Sequence, residues 1–262
     1  MNRTVVNTQT SYDQVAVEYA EKFKDEMDHK PFDRDCLDRL AREVGKLGPI
    51  CDLGCGPGQI ARYLHRQGVG TLGVDLSPRM VAEAQRLNPE IHFHQGDMLS
   101  LPDADNSWGG IAAFYCILHI PREQIVSALR EMKRVLRPGG RLVAAVWAAP
   151  EKCDIVRFQQ TAGSFAPKPP VANVGPGAMA DPTLFVKQLA EARLTAKVET
   201  QELVFVFDTF ALAWEVLAGV TTAKLDPGRI EEAKEAVRQL MWQKPNEPRH
   251  FRNVTQFIVG SV

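Results

Sequence analysis

Three glycines at two-residue spacing follow a short apolar run and an acid near residue 50. Residues 50–58 read ICDLGCGPG. Glycine tolerates positive φ and has no Cβ, so the backbone of such a loop can lie directly against a ligand. The pattern predicts a buried strand that ends abruptly, with a ligand site at its carboxyl end.

Two adenosine ligands compete for this loop, a dinucleotide and S-adenosylmethionine. The dinucleotide fingerprint is G-x-G-x-x-G, which holds a pyrophosphate on a helix N-terminus. Here the third glycine comes one residue early, at Gly58, after Gly54 and Gly56. Asp52 would repel a pyrophosphate, but it suits the ammonium group of an amino acid tail, directly or through a water. The loop therefore favours an adenosine that carries a zwitterionic amino acid.

Acids also stand at the ends of the second and third predicted strands. Asp75 can accept both hydroxyl groups of a ribose, and Leu76 and Met80 are candidate apolar walls for an adenine. Asp97 can accept the adenine amino group, with Met98 against the ring. Each residue alone has an ordinary explanation as a turn, a helix cap or a core residue. Their order at successive strand ends favours one shared ligand. After the fourth predicted strand, two aromatic side chains at the cleft mouth are further candidate contacts, Phe114 and Tyr115.

Alternating strand and helix patterns place these side chains on one edge of a sheet. The predicted strands of the first half are 50–53, 71–75, 91–95, 110–114 and 141–147. The second half adds a long strand at 195–207, helices at 209–220 and 226–242, and a final strand at 251–262. Strands that alternate with helices at this spacing indicate a parallel sheet covered on both faces.

The predicted fold class is α/β. We expect a doubly wound, Rossmann-like, mostly parallel sheet of seven strands whose last pair is hairpin-like, with N-terminal helices and a helical lid insertion. We expect one domain over residues 1–262. Its parts are an N-terminal helical cap (1–45), a cofactor-binding core (46–150), and a substrate lid with closing edge strands (151–262).

Composition excludes several classes of protein. The 262 residues are 45% hydrophobic with a formal net charge of −1, so no global field recruits nucleic acid or anionic membrane. No apolar run is long enough for a membrane span, and the first residues lack a signal-peptide core. We expect a cytoplasmic enzyme with five reduced, mostly buried cysteines. His92 and His94 share one face of a strand, but no third ligand is evident, so no metal is expected.

These motifs resemble the class I S-adenosylmethionine-dependent methyltransferases, in the small-molecule branch of the ubiquinone/menaquinone-type enzymes. The resemblance spans roughly residues 12–147. Its motifs are DLGCGPG at 52–58, GVDLSP at 73–78, GD at 96–97, LHIP at 118–121 and LRPGGRL at 136–142. The opening YDxxAxxY, which ends at Tyr19, is similar to a segment of that branch whose helix closes over the cofactor.

The resemblance implies S-adenosyl-L-methionine as the cofactor and S-adenosyl-L-homocysteine as its product. It implies that Tyr19 reaches the methionyl carboxylate. The other contacts that it implies are Gly54, Gly56, Asp75, Leu76, Asp97, Met98 and Phe114.

His119 is the candidate general base for such a reaction. It follows the fourth predicted strand, and imidazole titrates near neutral pH. An oxygen or carbon acceptor must lose a proton during methyl transfer, whereas a neutral amine needs no base. The alternative for His119 is a structural role, packed against the next helix and capping a carbonyl.

The predicted function is methyl transfer to an oxygen, nitrogen or carbon atom of a small organic acceptor, by a monomer or homodimer. Beyond residue 147 no motif identifies the acceptor. Candidate residues for an apolar acceptor pocket are Phe205, Phe207, Trp214 and Trp242.

Three alternatives remain. A protein of the same fold can bind the cofactor for another reaction or for regulation. A nucleic-acid methyltransferase would carry an Asn/Asp-Pro-Pro-aromatic turn where this chain has FYCI at 114–117. An arsenic methyltransferase would need paired thiols, for which Cys116 is one candidate and Cys153 lacks a surrounding motif.

Overall fold

Seven strands form one sheet in the order β3-β2-β1-β4-β5-β7-β6. The computed structural model describes residues 3–166, 179, 181–222, 225–244 and 247–262. The strands are β1 Ile50–Leu53, β2 Thr71–Asp75, β3 His92–Gln95, β4 Trp108–Phe114, β5 Leu136–Trp147, β6 Thr195–Phe207 and β7 Arg249–Ser261. Strands β1 to β5 pair in parallel, and β7 runs antiparallel to both of its neighbours. The predicted seven-stranded, mostly parallel fold with a hairpin-like last pair is confirmed.

Helices pack on both faces of this sheet. Their bounds are α1 Arg3–Phe23, α2 Pro31–Val44, α3 Gln59–Arg66, α4 Pro78–Leu87, α5 Ile125–Val135, α6 Asp154–Gly163, α7 Pro182–Glu191, α8 Phe210–Leu217, α9 Gly219–Thr222 and α10 Pro227–Met241. Proline occupies the first turn of α2, α4, α7 and α10, where its missing N–H is unused. No helix in the described ranges has the length and apolar composition to cross a membrane.

Strand β4 divides the core into its two layers. Every residue of β4 is buried, as a central parallel strand requires. Because successive side chains point to opposite faces, Ile111 joins one apolar cluster with Leu129 of α5. Phe114 joins the other cluster, with Leu37 and Leu40 of α2. The sheet is therefore held between α5 and α2 at the strand that leads into the site.

The start of β5 differs from the prediction. We expected a turn at 138–140 and a strand from residue 141, but β5 begins at Leu136. Leu136 pairs with Trp108, and the register then shifts so that Arg141 pairs with Gly110. The extra residues form a bulge, in which Gly139 has φ +79°. The glycines that predicted a turn therefore bend a strand.

The last two strands form a long antiparallel ladder. All thirteen residues of β6 pair with β7, from Thr195 opposite Ser261 to Phe207 opposite Arg249. Helices α8, α9 and α10 connect the two strands. The β6–β7 connection is therefore a helical insertion next to the carboxyl end of β5.

Candidate functional site

The glycine loop joins β1 to α3 at the carboxyl edge of the sheet. Gly54, Gly56 and Gly58 have φ values of +73°, +51° and +82°. Non-glycine residues adopt this left-handed region at an energetic cost, because Cβ approaches the following carbonyl oxygen. The predicted conformational need for glycine therefore applies at all three positions.

The space around the three glycines differs. A Cβ on Gly54 would lie 2.4 Å from Cβ of Cys116, and one on Gly58 would lie 2.8 Å from Cζ of Phe93. A Cβ on Gly56 would meet only Cε1 of Tyr19, at 3.9 Å. Close packing against protein thus requires glycine at 54 and 58, whereas Gly56 faces open space.

Asp75 ties the end of β2 to this loop. Its Oδ2 accepts a hydrogen bond from the backbone N–H of Gly56, and its Oδ1 accepts one from Ser77, each at 2.8 Å. Burial raises the pKa of the Asp75 carboxyl, and these two hydrogen bonds act in the opposite direction. Each carboxylate oxygen keeps a second lone pair, with which it can accept a ligand hydroxyl.

Asp52 lies beneath the loop and is 2% exposed. Its Oδ2 accepts a hydrogen bond of 2.9 Å from the backbone N–H of Ala61, in the first turn of α3. Burial raises the pKa of Asp52 to about 7, although the bond from Ala61 lowers it. A cationic group nearby would stabilise the ionised form of this carboxyl.

The predicted adenine contacts occupy the neighbouring strand ends. Asp97 is partly exposed, and its Oδ1 accepts a hydrogen bond of 2.9 Å from the N–H of Leu99. Cε of Met98 lies 3.0 Å from the position of a Cβ on Gly54, which brings Met98 to the loop. Leu76 is partly exposed, whereas Met80 is 1% exposed and offers almost no surface in this conformation.

Helix α1 crosses the carboxyl edge and brings two tyrosines to the loop. Tyr19 approaches Gly56, as described above, and Tyr12 contacts Tyr19 edge-on with ring centroids 6.1 Å apart. The Tyr12 hydroxyl lies 2.9 Å from Nε2 of His119. Burial and the charge of Asp75 raise the pKa of Tyr12, so its phenol stays protonated. The sequence placed Tyr12 in a motif but did not predict its contact with His119.

His119 belongs to the 3₁₀ turn Ile117–His119 that follows β4. Its ring is partly buried and meets the Tyr12 ring edge-on, with centroids 5.3 Å apart. The structure therefore brings His119 to the same edge as the glycine loop. Its Nε2 is engaged by Tyr12 in this conformation.

The aromatic residues at the end of β4 have different surroundings. Phe114 is 6% exposed and packs against Phe257, with ring centroids 6.0 Å apart. Tyr115 has φ +56°, which is uncommon for a bulky residue and is typical of functional sites. Its hydroxyl donates a hydrogen bond of 3.1 Å to Oδ1 of Asp33, and its ring lies 4.8 Å from that of Trp147.

The four predicted acceptor-pocket residues fall in one apolar cluster around α6 and β7. Phe207 and Trp242 are buried, whereas Phe205 and Trp214 are partly buried. Trp147, at the end of β5, packs against the same cluster. This cluster therefore adjoins the carboxyl edge through Trp147.

Sequence reasoning missed several polar residues at this edge. Lys30, Asp33 and Gln59 are buried beside Tyr115 or the glycine loop, with 7%, 3% and 9% exposed. A glutamate four residues before Lys30, Glu26, is the one signal that the sequence offered, and the same spacing is common on exposed helices.

The structure places a carboxylate beside the histidine pair on β3. His92 and His94 have ring centroids 5.4 Å apart, and Nε2 of His94 lies 3.1 Å from Oδ2 of Asp103. Among the residues with a described placement, no group of three or more His, Cys, Asp or Glu side chains could hold a metal ion.

The chain is similar to known methyltransferases. A protein-family profile described as "Methyltransferase domain" matches residues 50–140. The chain is 37% identical over 117 residues to a demethylmenaquinone methyltransferase of Beutenbergia cavernae, covering 45% of this chain and 47% of that protein. It is 30% identical over 166 residues to a 2-phytyl-1,4-naphtoquinone methyltransferase of Thermosynechococcus vestitus, covering 60% of this chain and 71% of that protein.

The YcgJ protein of Bacillus subtilis has a similar fold. The superposition gives a TM-score of 0.62 at 18% identity and covers 87% of this chain and 97% of that one. The chain spans about half the length of the first curated relatives that it matches.

Proposed function

The chain belongs to the class I S-adenosylmethionine-dependent methyltransferases, and on that premise we propose that it methylates a small organic acceptor at an oxygen, nitrogen or carbon atom. One observation carries the proposal. The Asp75 carboxylate accepts a hydrogen bond from the backbone N–H of Gly56, the loop glycine that faces open space. A carboxylate that can accept ribose hydroxyls and a loop backbone with little protein packed against it thus lie side by side at the carboxyl edge of a parallel sheet, where such folds bind ligands.

The residues at this edge fit the cofactor. The adenosine end would meet Asp75, Leu76, Asp97 and Met98, with Met80 behind them. The amino acid end would meet the loop at Gly54, Gly56 and Gly58, with Asp52 below and Tyr19 above. Phe114 and Tyr115 border the acceptor side. The open face of Gly56 and the lone pairs of Asp75 support this assignment.

Positioning is the main contribution of the protein in this proposal. When bound, S-adenosylmethionine supplies a methyl group already activated on a sulfonium. The protein aligns the acceptor for in-line attack, which can supply roughly 7–11 kcal/mol of the barrier. Helix α1 and residues 151–262 would act as cap and lid to exclude water.

His119 would take the proton of an oxygen or carbon acceptor. Its Nε2 lies 2.9 Å from the Tyr12 hydroxyl, so proton removal at this nitrogen requires the acceptor to replace Tyr12. Tyr12 lies on α1, so a movement of this helix would release Nε2 of His119. A neutral amine acceptor would leave His119 in its structural contact with Tyr12.

Composition and comparisons guide the choice of acceptor. The net charge of −1 supports a small molecule rather than a nucleic acid. The names of two relatives support quinones as the first compounds to be screened. All five cysteines are free and buried, which supports a reducing compartment such as the cytoplasm. We propose a monomer or homodimer.

Calorimetry with S-adenosylhomocysteine tests cofactor binding. The protein should bind it, and Asp75→Ala should weaken binding at least tenfold, since no carboxylate at this position would then accept the ribose hydroxyls. No binding by the unaltered protein, or unchanged binding by Asp75→Ala, contradicts the proposal.

Release of S-adenosylhomocysteine from S-adenosylmethionine, measured against phenols, quinols, amines and carboxylates, tests the transfer itself. Binding without release for any acceptor would favour the alternative of a same-fold binding protein. Full turnover by His119→Ala with the true acceptor would assign His119 a structural role.

A further inference from the structure

The charged side chains that the described structure buries by nine-tenths or more all lie at the carboxyl edge of the sheet. They are Lys30, Asp33 and Asp52. Lysine and aspartate are rarely buried to this extent unless they are paired. Even a paired buried charge is often less stabilising than an apolar side chain of the same size. Three such charges at one edge therefore point to ligand binding rather than to stability.

Lys30 is enclosed by an acid and two aromatic rings. Its Nζ lies 2.6 Å from Oε1 of Glu26 and 4.1 Å from the ring centroid of Tyr115. The Trp147 ring centroid is 5.8 Å away. Oε2 of Glu26 accepts a hydrogen bond of 3.2 Å from Nε2 of Gln59. We refer to Glu26, Lys30 and Gln59 as the Lys30 cluster.

Gln59 has an unused acceptor. Its side chain is 9% exposed, and in the described part of the chain its Oε1 has no hydrogen-bond partner. A buried polar atom without a partner is unfavourable by about 1–3 kcal/mol. Because native proteins rarely leave such atoms unpaired, Oε1 indicates a donor that arrives with a ligand.

The Lys30 cluster lies beside the glycine loop. Gln59 directly follows Gly58 and is the first residue of α3. After burial, the charge of Glu26 is the largest influence that raises the pKa of Tyr19. Tyr19 in turn is the residue nearest the open side of Gly56. Through Gln59 and Tyr19, the Lys30 cluster therefore adjoins the space beside the glycine loop.

The charges in this space are mixed. A ligand that is only anionic would face the repulsion of Glu26 and Asp33, and a ligand that is only cationic would face Lys30. A zwitterion matches both signs at once, because its carboxylate can meet the ammonium of Lys30 while its ammonium meets the carboxylate of Glu26.

We propose that the Lys30 cluster recognises the amino acid tail of the cofactor. Lys30 binds the α-carboxylate, and Glu26 together with Oε1 of Gln59 accepts hydrogen bonds from the α-ammonium. This inference rests on the proposed function, and it assigns the tail to three residues outside the glycine motif. They are positioning residues, because they fix one end of the cofactor and touch no reacting atom.

Comparison of two ligands tests the assignment. S-adenosylhomocysteine carries the amino acid tail, whereas 5′-methylthioadenosine keeps the adenosine and the thioether but lacks it. By calorimetry, Lys30→Met should weaken S-adenosylhomocysteine binding at least tenfold and change 5′-methylthioadenosine binding less than threefold. The matched control is Lys24→Met, which removes an exposed lysine paired with Glu21 at 2.8 Å in the same segment. It should leave both affinities unchanged.

Two further probes separate the roles within the cluster. An analogue without the carboxylate, 5′-S-(3-aminopropyl)-5′-thioadenosine, should bind Lys30→Met and the unaltered protein equally. An analogue without the ammonium, 5′-S-(3-carboxypropyl)-5′-thioadenosine, should bind Glu26→Gln and the unaltered protein equally. If circular dichroism shows that Lys30→Met does not fold, Gln59→Met replaces it. Gln59→Met should then weaken the binding of S-adenosylhomocysteine and not that of 5′-methylthioadenosine.

The inference would be overturned if Lys30→Met lost affinity equally for S-adenosylhomocysteine and 5′-methylthioadenosine, or if it lost no affinity for S-adenosylhomocysteine. Failure of the proposed function has a different signature, since the unaltered protein would then bind no S-adenosylhomocysteine at all.

Discussion

Gly56 and Gly68 share a left-handed backbone but differ in position. Their φ values are +51° and +79°, and a Cβ on Gly68 would meet nothing within 4 Å. A Cβ on Gly56 would meet only Tyr19, at 3.9 Å. The strain of adding a side chain is thus similar at both sites, whereas only Gly56 borders the proposed cofactor.

Alanine at these two glycines should separate strain from ligand contact. We expect Gly56→Ala and Gly68→Ala each to lower the free energy of unfolding by about 1–2 kcal/mol, because alanine is strained in this region. Only Gly56→Ala should weaken S-adenosylhomocysteine binding, by tenfold or more. Urea unfolding and calorimetry measure the two effects. Equal affinities for the two variants would place the cofactor away from Gly56.

The acids of the site could be predicted from the sequence, but its buried lysine, Lys30, could not. Asp52 and Asp75 lie at the carboxyl ends of β1 and β2, and Asp97 follows β3, so their shared edge is a consequence of parallel topology. Lys30 lies between two helices in a polar segment. Its burial depends on Tyr115 and Trp147, whose distance in sequence hides the contact.

Helix α1 is attached to the edge of the sheet by side-chain contacts at several points. Oδ1 of Asp13 accepts a hydrogen bond of 2.5 Å from Oγ of Ser77, which also caps α4 by accepting from the N–H of Met80. Tyr12 meets His119, and Nζ of Lys22 donates to the carbonyl of Glu215 in α8. Two of these contacts, at Ser77 and His119, lie at the carboxyl edge where the cofactor is proposed to bind.

Hydrogen exchange should report this attachment. Asp13→Ala removes a charge-assisted hydrogen bond, so amides of α1 should exchange about tenfold faster, while those of β1 and β4 stay protected. Glu18→Ala is the control, because it removes an exposed surface pair with Lys22 from the same helix. S-adenosylhomocysteine should slow exchange in α1 of the unaltered protein. Unchanged exchange with ligand would show that α1 does not close over the cofactor.

Element boundaries were predictable where burial is regular. The bounds of β1, β2 and β6 agree with the predictions, because short apolar runs define β1 and β2 and alternating apolar residues mark the end of β6. The predicted start of β5 was wrong by five residues, since Leu136 pairs with Trp108 before the register shift. The helix predicted at 209–220 is divided into α8 and α9.

The stability of the whole molecule should depend on the protonation of Asp52. Its pKa is raised by burial to about 7 from the usual 3.8. Folding therefore favours the protonated carboxyl. Its contribution to stability is fully present below pH 4, falls as pH rises from 4 to 7, and is constant above that. The total change is about 4 kcal/mol at most.

Comparison with Asp52→Asn isolates this effect. The variant is neutral at every pH and can still accept from Ala61, so its stability lacks this contribution. The difference in unfolding free energy between the unaltered protein and Asp52→Asn should fall between pH 4 and pH 8 in urea titrations. Parallel pH profiles for the two proteins would contradict a raised pKa at Asp52.

The position of β7 has a consequence for synthesis on the ribosome. Strand β7 lies between β5 and β6, although β6 precedes it in the chain. While the chain is emerging, β6 has no partner in the sheet, and the edge of β5 stays open until β7 arrives. Open strand edges are where nascent chains associate wrongly. The nascent protein is therefore most exposed to aggregation after β6 has emerged and before β7 has emerged, and chaperone binding would be most useful in that interval.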